Sequence, residues 1–592
     1  MKQEKFNIKF ERQALRCDTN GGKSLKEFPQ TFGTKKENNF ITAGEDESIL
    51  NIKTPSCTSV SELYNKLEEI TNVVLLEIYN NNEIIWPCSE YSSKNEKIEQ
   101  MAKLNITIDK EYYEEIKGVD CAIPDEISDA YKMIEKEFKK KAHLIESIFG
   151  KCIIKSTKNS ITISNIKLNA SSKCGITEND LLVLVTFIFS CLKDTENTTL
   201  KDELKALSKL GKNYSLKSQG AIKELEKEIK EKISRTEKEE KLSFEEKLQL
   251  ALDQRLEGYN CRYCLQKYNK LASESVVIIK DAISQGIDYK VLNEAKSVVE
   301  FNHNGHKEFV IEGNKTDRDS YIFPIITDDK FTSKQIMAGN GLNVPKAILL
   351  STDMDNEDIE SLVKPFYNKC LVVKPRNTNY GIGITVFGKP ATRKQILNAI
   401  EYAFKFDTNI LIEEYKKGME YRFLVIDGKC LSVAHRRIAS VVGDGKSTIR
   451  ELIERKNKEP WHFLTATPVK MDEPVVEYLK LQGYDFETII PKDKRVFLRT
   501  NSNCSTGGES IDMTDVMPDK FKKIAERAAK SFDAKICGVD IIIEDFKKDD
   551  YAIIEINDNP GYSINEWPYE GRGEKIGLAI LKLLGYKLKA FN

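Results

Sequence analysis

At 592 residues the chain is well past the size at which one hydrophobic core stops growing, so three or more domains are expected. Its 91 basic and 92 acidic residues nearly cancel, which leaves no global field to draw it to nucleic acid or an anionic membrane. A hydrophobic content of 40% supplies ordinary globular cores, while the longest apolar run, Leu181 to Leu192, is too short to cross a bilayer.

The opening MKQEKFNIKFERQ lacks the apolar stretch of a signal peptide. Thirteen scattered cysteines without framework spacing suit reduced thiols, so a cytoplasmic protein is expected. Cys261 and Cys264 form a CxxC pair with no second pair and no histidine at zinc spacing. They read as one helix turn rather than a metal site.

Residues 1–110 mix short strands and a helix. FNIKFERQALRC alternates apolar and polar positions, as a half-buried strand does. ITAGEDESILNIKTP follows, then Ser59 and Ser61 as candidate caps for ELYNKLEEITNVVLLEIY, and NNNEIIWPCSE closes the unit. Residues 111–272 read as mainly helical, with apolar periodicity in Asp125 to Phe149 and Ile176 to Leu192. Lys217 to Glu246 is a run of Lys and Glu, the composition of a solvated helix face. From residue 273 the texture becomes alternating helix and strand: SVVIIKDAISQGIDYKVL, then a helix ended by Gly341 and a strand begun after Pro345.

The chemistry-bearing stretches lie in this last part. CLVVKPRNTNYGIGITVF places Lys374 on a buried strand, followed by a polar turn holding Gly381 and Gly383. Glycines let backbone N–H groups close over phosphates, although the spacing is not that of a Walker A loop. NILIEEYKKGMEYRFLVIDGKC sets Glu413, Glu414 and Glu420, with Tyr415, along an apolar wall of the kind that an adenosine pocket requires. Arg436, Arg437 and VVGDGKSTI follow. Then comes RTNSNCSTGG, where Arg499, Asn501, Ser505, Gly507 and Gly508 form a short-chained loop that allows close approach to a reacting carboxyl. Finally ICGVDIIIEDFKKDDYAIIEINDNPG reads as a hairpin: two β-branched runs flank an acidic turn. Asp540 lies on the first strand, and Glu555 and Asn557, two apart on the second, share a face. Two carboxylates and an amide oxygen suit Mg²⁺ shared with phosphate oxygens.

These motifs carry a resemblance. Residues 1–110 resemble the N-terminal part of glutamate–cysteine ligase, whose "ERExLRV", "TDFSExLLELITP" and "LLWPLSMP" motifs correspond to the strand, the ILNIKTP segment and the EIIWPCSE segment. In that family the acids of the first two motifs bind Mg²⁺ and substrate. Glu11 keeps one of them, but Gln13 and Asn51 stand where glutamates are expected, and the family's middle section is largely missing. The resemblance therefore implies a shortened and inactive relative that serves as scaffold or homodimer surface, with Glu45 and Glu47 as residual acids. Residues 273–592 resemble the ATP-grasp fold, and most closely the glutathione synthetase module of bifunctional glutamate–cysteine ligase/glutathione synthetases. Cyanophycin synthetase shares the VVGDGKSTI and STGG elements.

The implied architecture is α/β (α+β). A truncated glutamate–cysteine-ligase-like α+β domain (1–110) and a helical region (111–272) precede an ATP-grasp module (273–592). That module divides into a pre-ATP-grasp part (273–350), a lid and nucleotide wall (351–425) and a metal and substrate subdomain (426–592). The resemblance gives Lys330 and Lys374 to the ATP phosphates, with Gly381 and Gly383 as lid. Glu413 goes to the adenine amino group, with Glu414 and Tyr415 beside it, and Glu420 to the ribose. Asp540, Glu555 and Asn557 hold Mg²⁺, and Arg499 with Asn501 steadies an acyl phosphate. Arg436, Arg437, Ser505, Gly507, Gly508, Tyr562 and Asn565 are expected to face the substrates. The implied activity is ADP-forming ligation of a carboxylate to an amine on small amino acids or peptides, without nucleic-acid or membrane partners. Where the family reads approximately "NFNPALHIHCYPYKG", this chain has NDNPGYSINEWPYEG, and HRRIAS around Arg436 replaces "KRVPAN". These departures leave the substrate pair open: glutathione synthesis by this module alone, a bifunctional enzyme, or ligation of another amino acid or peptide pair, as in a specialised-metabolite or cyanophycin-type ligase. The alternative of a different class is a non-catalytic scaffold with both halves degenerate.

Overall fold

The computed structural model describes residues 6–33, 38–44, 47–87, 90–92, 97–108, 127–144, 146–158, 160–168, 242–260, 270–378, 382–458, 468–499 and 504–588, with isolated positions at 36 and between 172 and 185. The chain forms two compact units: residues 1–267 with 280–288 and 588–592, and residues 268–279 with 289–587.

The first unit is built on an antiparallel sheet whose longest strand is Phe6–Asp18. Ile49–Lys53 pairs along one edge of it and Ala102–Ile108 along the other, while Glu83–Ile85 pairs with its end. The alternation in the sequence sorts the two faces. Ile8, Phe10 and Ala14 are buried, and Lys9, Glu11 and Gln13 lie on the opposite face. Helix Val60–Asn80 is started by Ser59, whose Oγ accepts from Glu62 N at 3.1 Å, while the Glu62 carboxylate accepts from Thr58 N at 2.7 Å. The part expected to be helical differs. Ile127–Lys141 and Phe244–Asn260 are helices, but Ile153–Ser156 and Ile161–Ile166 are strands that continue the N-terminal sheet past Ala102–Ile108. The physical reason is the period-two burial of Ile161 and Ile163, which makes ITISNI a strand. Ile176 to Leu192 and Lys217 to Glu246 fall largely, and Cys261 and Cys264 wholly, outside the described residues.

The second unit carries a three-stranded sheet (Asp288–Asn293, Val298–His303, His306–Ile311) and two larger antiparallel sheets. The four-stranded sheet runs in the order Ala347–Ser351, Asn409–Glu414, Lys369–Pro375, Thr385–Ala391. Its core is closed by helix Arg393–Ala403 through Ile396, Ala399 and Ile400. The five-stranded sheet runs Glu509–Asp512, Lys429–Arg437, Met419–Ile426, Ile536–Ile543, Tyr551–Asn557. Helix Asp519–Lys530 packs Phe521, Ala525, Ala528 and Ala529 against it. Strand Ile536–Ile543 has partners on both sides, which is why it reads as an unbroken β-branched run. The expected limits at 350 and 425 therefore fall inside strands: one sheet spans 347–414 and the next begins at 419. No helix among the described residues is long and apolar enough to cross a membrane.

Helix Lys330–Gly339 is fixed by its cap. Asp329 accepts from Phe331 N and Thr332 N, and its carboxylate also takes Arg376 in two hydrogen bonds, 2.8 and 2.5 Å long. Arg376 is the main cause that holds Asp329 below the ordinary carboxylate range. Asp329→Ala is expected to cost about 1–2 kcal/mol, as the loss of a cap does. Because the folded pKa lies below the unfolded one near 3.9, this stabilisation is present above pH ~4 and is lost as pH falls further. Urea melts of the wild type and the variant at pH 7 and pH 3 should converge; an equal difference at both would contradict the assignment.

Candidate active site

The four-stranded sheet contributes cations. Lys374 is buried on its strand, with Nζ 3.0 Å from Glu413 Oε1 on the neighbouring strand. Lys334, one helical turn after Lys330, reaches the same oxygen at 3.4 Å and donates to the carbonyl of Ile554 at 2.9 Å. That lysine thereby ties the four-stranded sheet to strand Tyr551–Asn557 of the other. Burial pushes Lys334 down to about 8 and also lowers Lys330, whose Nζ donates to Thr378 O at 2.5 Å. Burial works to raise Glu413, but Lys374 and Lys334 outweigh it and hold the carboxyl below its usual range. Glu413 is thus the buried counter-ion of two lysines.

The five-stranded sheet contributes carboxylates. Asp540 and Glu555 stand directly opposite each other across the hairpin, with a bulge just after Asp540. On its other side Asp540 faces Arg422, which donates Nε and Nη2 to the two carboxylate oxygens at 2.7 and 2.6 Å. Arg436 approaches Asp540 at 3.4 Å. Burial opposes ionisation of Asp540, yet Arg422 and Arg436 bring it down to about 2. Glu555 is shifted the other way, raised by burial and by the neighbouring Asp540 charge, with Lys374 and Lys330 acting to lower it. Asn557 Nδ2 donates to Glu555 Oε1 at 3.3 Å.

This donor set fits a hard divalent cation. Two opposed carboxylates raise each other's energy, as the Glu555 shift records, and a cation relieves that repulsion. Among the described residues no cluster of three His, Cys, Asp or Glu side chains forms a closed metal cage. Two carboxylates and an amide instead leave room for substrate oxygens, which is the pattern that suits Mg²⁺.

The remaining expected residues divide. Gly383 has φ +76°, and a Cβ there would lie 2.6 Å from Pro375 Cγ and 2.9 Å from Phe406 Cδ2, so the turn is built for glycine. Gly381 lies outside the described residues, as do Asn501 and the side chain of Ser505. Glu414 is partly exposed beside Lys416 at 3.5 Å, and Tyr415 N meets Cys370 O at 3.4 Å. Glu420 pairs with Arg436. Arg499 donates to Asp472 at 2.7 Å. Gly507 has φ +94° and Gly508 is buried. Arg437 is locked between Glu509, at 2.5 Å, and Glu570, at 2.5 Å, with Lys456 also on Glu509.

Tyr562 and Asn565 depart from the expected substrate-facing role. The Tyr562 ring is fully buried, its hydroxyl within hydrogen-bond reach of the carbonyl oxygens of Glu274 and Gly313 at 3.1 and 2.9 Å. Asn565 is buried and donates to Ser432 Oγ at 2.9 Å. Both hold the loop onto the unit. Sequence reading passed over Lys334 and Arg422. The first could have been found from its i+4 spacing to Lys330, and the second from its place two residues after Glu420, on the same strand face.

Family models match in chain order. Residues 2–114 match glutamate–cysteine ligase, 275–322 an ATP-grasp-like domain, and 327–450 with 494–569 a RimK-like ATP-grasp domain. The glutathione biosynthesis bifunctional protein GshAB of Clostridium perfringens is 27% identical, the match covering 98% of this chain and 97% of the relative. That alignment spans 759 positions against 592 residues here, so the relative carries stretches this chain lacks. The Enterococcus faecalis protein of the same name is 37% identical over 54% of this chain but only 44% of its own length. For Streptococcus mutans the figures are 38%, 54% and 44%, so the match spans under half of each of these two relatives. In fold, the chain is similar to a bifunctional glutathione synthetase from Pasteurella multocida, with a TM-score of 0.76 at 22% identity, covering 98% of both chains. The chain is thus related to the bifunctional glutathione biosynthesis protein GshAB, with a glutamate–cysteine ligase match at its start, and its second half is an ATP-grasp, ADP-forming carbon–nitrogen ligase module.

Proposed function

We propose that the second unit joins the carboxylate of a small amino acid or peptide to an amine through an acyl phosphate, with Asp540, Glu555 and Asn557 holding Mg²⁺. The observation that carries this reading is the bridge through Lys334, which shares Glu413 with Lys374 and donates to the carbonyl of Ile554, the residue before Glu555, so the lysine strand and the carboxylate hairpin are held together. Bound there, Mg²⁺ would neutralise phosphate charge and polarise the transferred phosphoryl group. The chain's own residues do the rest. Lys374 and Lys330 present fixed positive charge to the phosphates of ATP, and Glu413 keeps Lys374 in place. Arg422 holds Asp540 ionised and oriented. Arg499 supplies a guanidinium at the loop where an acyl phosphate would form, and a glycine turn at Gly383 that closed over it would keep water out. The substrate carboxylate attacks the γ-phosphorus and ADP leaves; the amine then attacks the acyl carbon and phosphate leaves.

In the first unit, Gln13 and Asn51 face each other in register, and Glu11 lies between Lys53 at 3.8 Å and Lys103 at 3.7 Å. Glu47 is engaged by Phe28 N at 2.6 Å, and Glu45 lies outside the described residues. A lone carboxylate, with the amides of Gln13 and Asn51 nearby instead of further carboxylates, brings too little negative charge for a divalent cation. This supports a first unit that makes no γ-glutamylcysteine, and the role proposed for it is that of scaffold or homodimer surface. The test is ATP-dependent phosphate release, with products identified by mass spectrometry, for two mixtures. Glutamate plus cysteine should give no γ-glutamylcysteine; γ-glutamylcysteine or free amino acids with a panel of amines should give an amide and ADP. γ-Glutamylcysteine formed at a comparable rate would favour the bifunctional reading, and no ADP with any pair would sink the ligase reading for this chain.

A further inference from the structure

The open face of the N-terminal sheet holds two adjoining cavities of about 320 and 420 Å³ that share Glu11 and Lys103 as lining residues. Three lysines line them (Lys9, Lys53 and Lys103) against the single carboxylate of Glu11, so the space carries a net positive charge. Register explains the arrangement. Lys53 and Lys103 are the cross-strand partners of Glu11 on its two sides, so the three side chains share one face. Neighbouring strands lie about 4.8 Å apart, which puts the two lysine backbones roughly 10 Å apart, with Glu11 between them. Gln13 Oε1 already accepts from Met101 N at 3.2 Å, which leaves the Gln13 amide NH₂ as a donor with no protein partner among the described residues. Lys9 likewise has no ion pair among them.

We propose that this face is a metal-free binding site for a small dianion, held by Lys53 and Lys103 with Lys9 and the Gln13 amide as further donors. The same residues argue against an amino acid as ligand. An α-ammonium group needs a free carboxylate, and the one present is already shared by two lysines. A dicarboxylate or a phosphate is matched by the surplus lysine charge, whereas a zwitterion is not. The site would thus have the opposite charge preference from one built to hold a divalent cation.

The test is isothermal titration calorimetry of the full-length chain at low ionic strength with glutarate, inorganic phosphate and L-glutamate, each with and without Mg²⁺. Glutarate or phosphate is expected to bind, with the stronger of the two telling carboxylate from phosphate. L-Glutamate is expected to bind at least about threefold more weakly than glutarate, and Mg²⁺ to make no difference. Raising salt should weaken binding, because the lysines are partly exposed. The Lys53→Gln/Lys103→Gln double variant should lose at least about tenfold in affinity while keeping ATP-dependent ADP formation by the second unit within twofold. Both lysines are partly exposed, and an unchanged thermal melt excludes misfolding. The proposal is overturned by no binding of either dianion, by unchanged affinity in the double variant, by binding that requires Mg²⁺, or by glutamate binding as well as glutarate.

Discussion

Lys374→Met is expected to lower ATP-dependent ADP formation about a thousandfold, the scale seen when one preorganised charge is removed from a transition state. The substitution keeps the length and apolar stem of the side chain, so the strand Lys369–Pro375 retains its packing between Asn409–Glu414 and Thr385–Ala391. Glu413 is not left alone, because Lys334 remains 3.4 Å away. Losing one of two partners of a buried carboxylate costs stability, so the variant should melt below the wild type but still fold, and the loss of turnover in the folded protein should far exceed that cost. Lys330→Met should be milder, since Lys330 sits at a helix start with its ammonium on the Thr378 carbonyl rather than on a buried carboxylate. Steady-state release of ADP with a saturating carboxylate and amine measures both. Turnover by Lys374→Met within tenfold of the wild type would remove Lys374 from the reaction.

How far the sequence discloses the molecule depends on the range of the interactions involved. Phe6–Asp18 could be read because burial on one face forces a period of two, and the Asp540 hairpin because two β-branched runs flank an acidic turn. Both signals are local. Ile153–Ser156 and Ile161–Ile166 escaped notice because they are short and set among helical patterns; the sheet strand that Ile161–Ile166 joins, Ala102–Ile108, lies some fifty residues earlier. Tyr562 could be seen to differ from the family pattern. Its bonds run to backbone carbonyls at Glu274 and Gly313, some 250 to 290 positions away in sequence, and no local pattern encodes that. The same holds for the charges. A glutamate in an apolar strand gives no sign whether it faces a ligand or two lysines, and Glu413 faces two lysines. The lysine, glycine and carboxylate motifs were legible as chemistry, whereas the ionic pairs that hold them in place were not.

Arg422→Leu is expected to destabilise the second unit by about 3–5 kcal/mol, the cost of breaking a buried ion pair by removing one partner. Asp540 is buried and Arg422 nearly so, at 2% and 12% side-chain exposure, and the two-pronged contact satisfies both carboxylate oxygens. Without the guanidinium, Asp540 keeps only Arg436 at 3.4 Å and faces Glu555 across the hairpin with little compensation. Its carboxyl then moves up from about 2, toward the raised range that Glu555 already occupies. The double variant Arg422→Leu/Asp540→Leu removes the stranded charge as well, and two apolar side chains can pack in the middle of a sheet. Much of the lost stability should therefore return, because replacing a whole buried pair costs far less than breaking it. Activity should not return, because a proposed metal-holding carboxylate is gone. Urea unfolding and ADP release, measured on the wild type, both single variants and the double variant, form a cycle that separates the two roles. Arg422→Leu as stable as the wild type would mean that Asp540 does not depend on Arg422. A double variant that regained turnover along with stability would mean that Asp540 supports the fold rather than the chemistry.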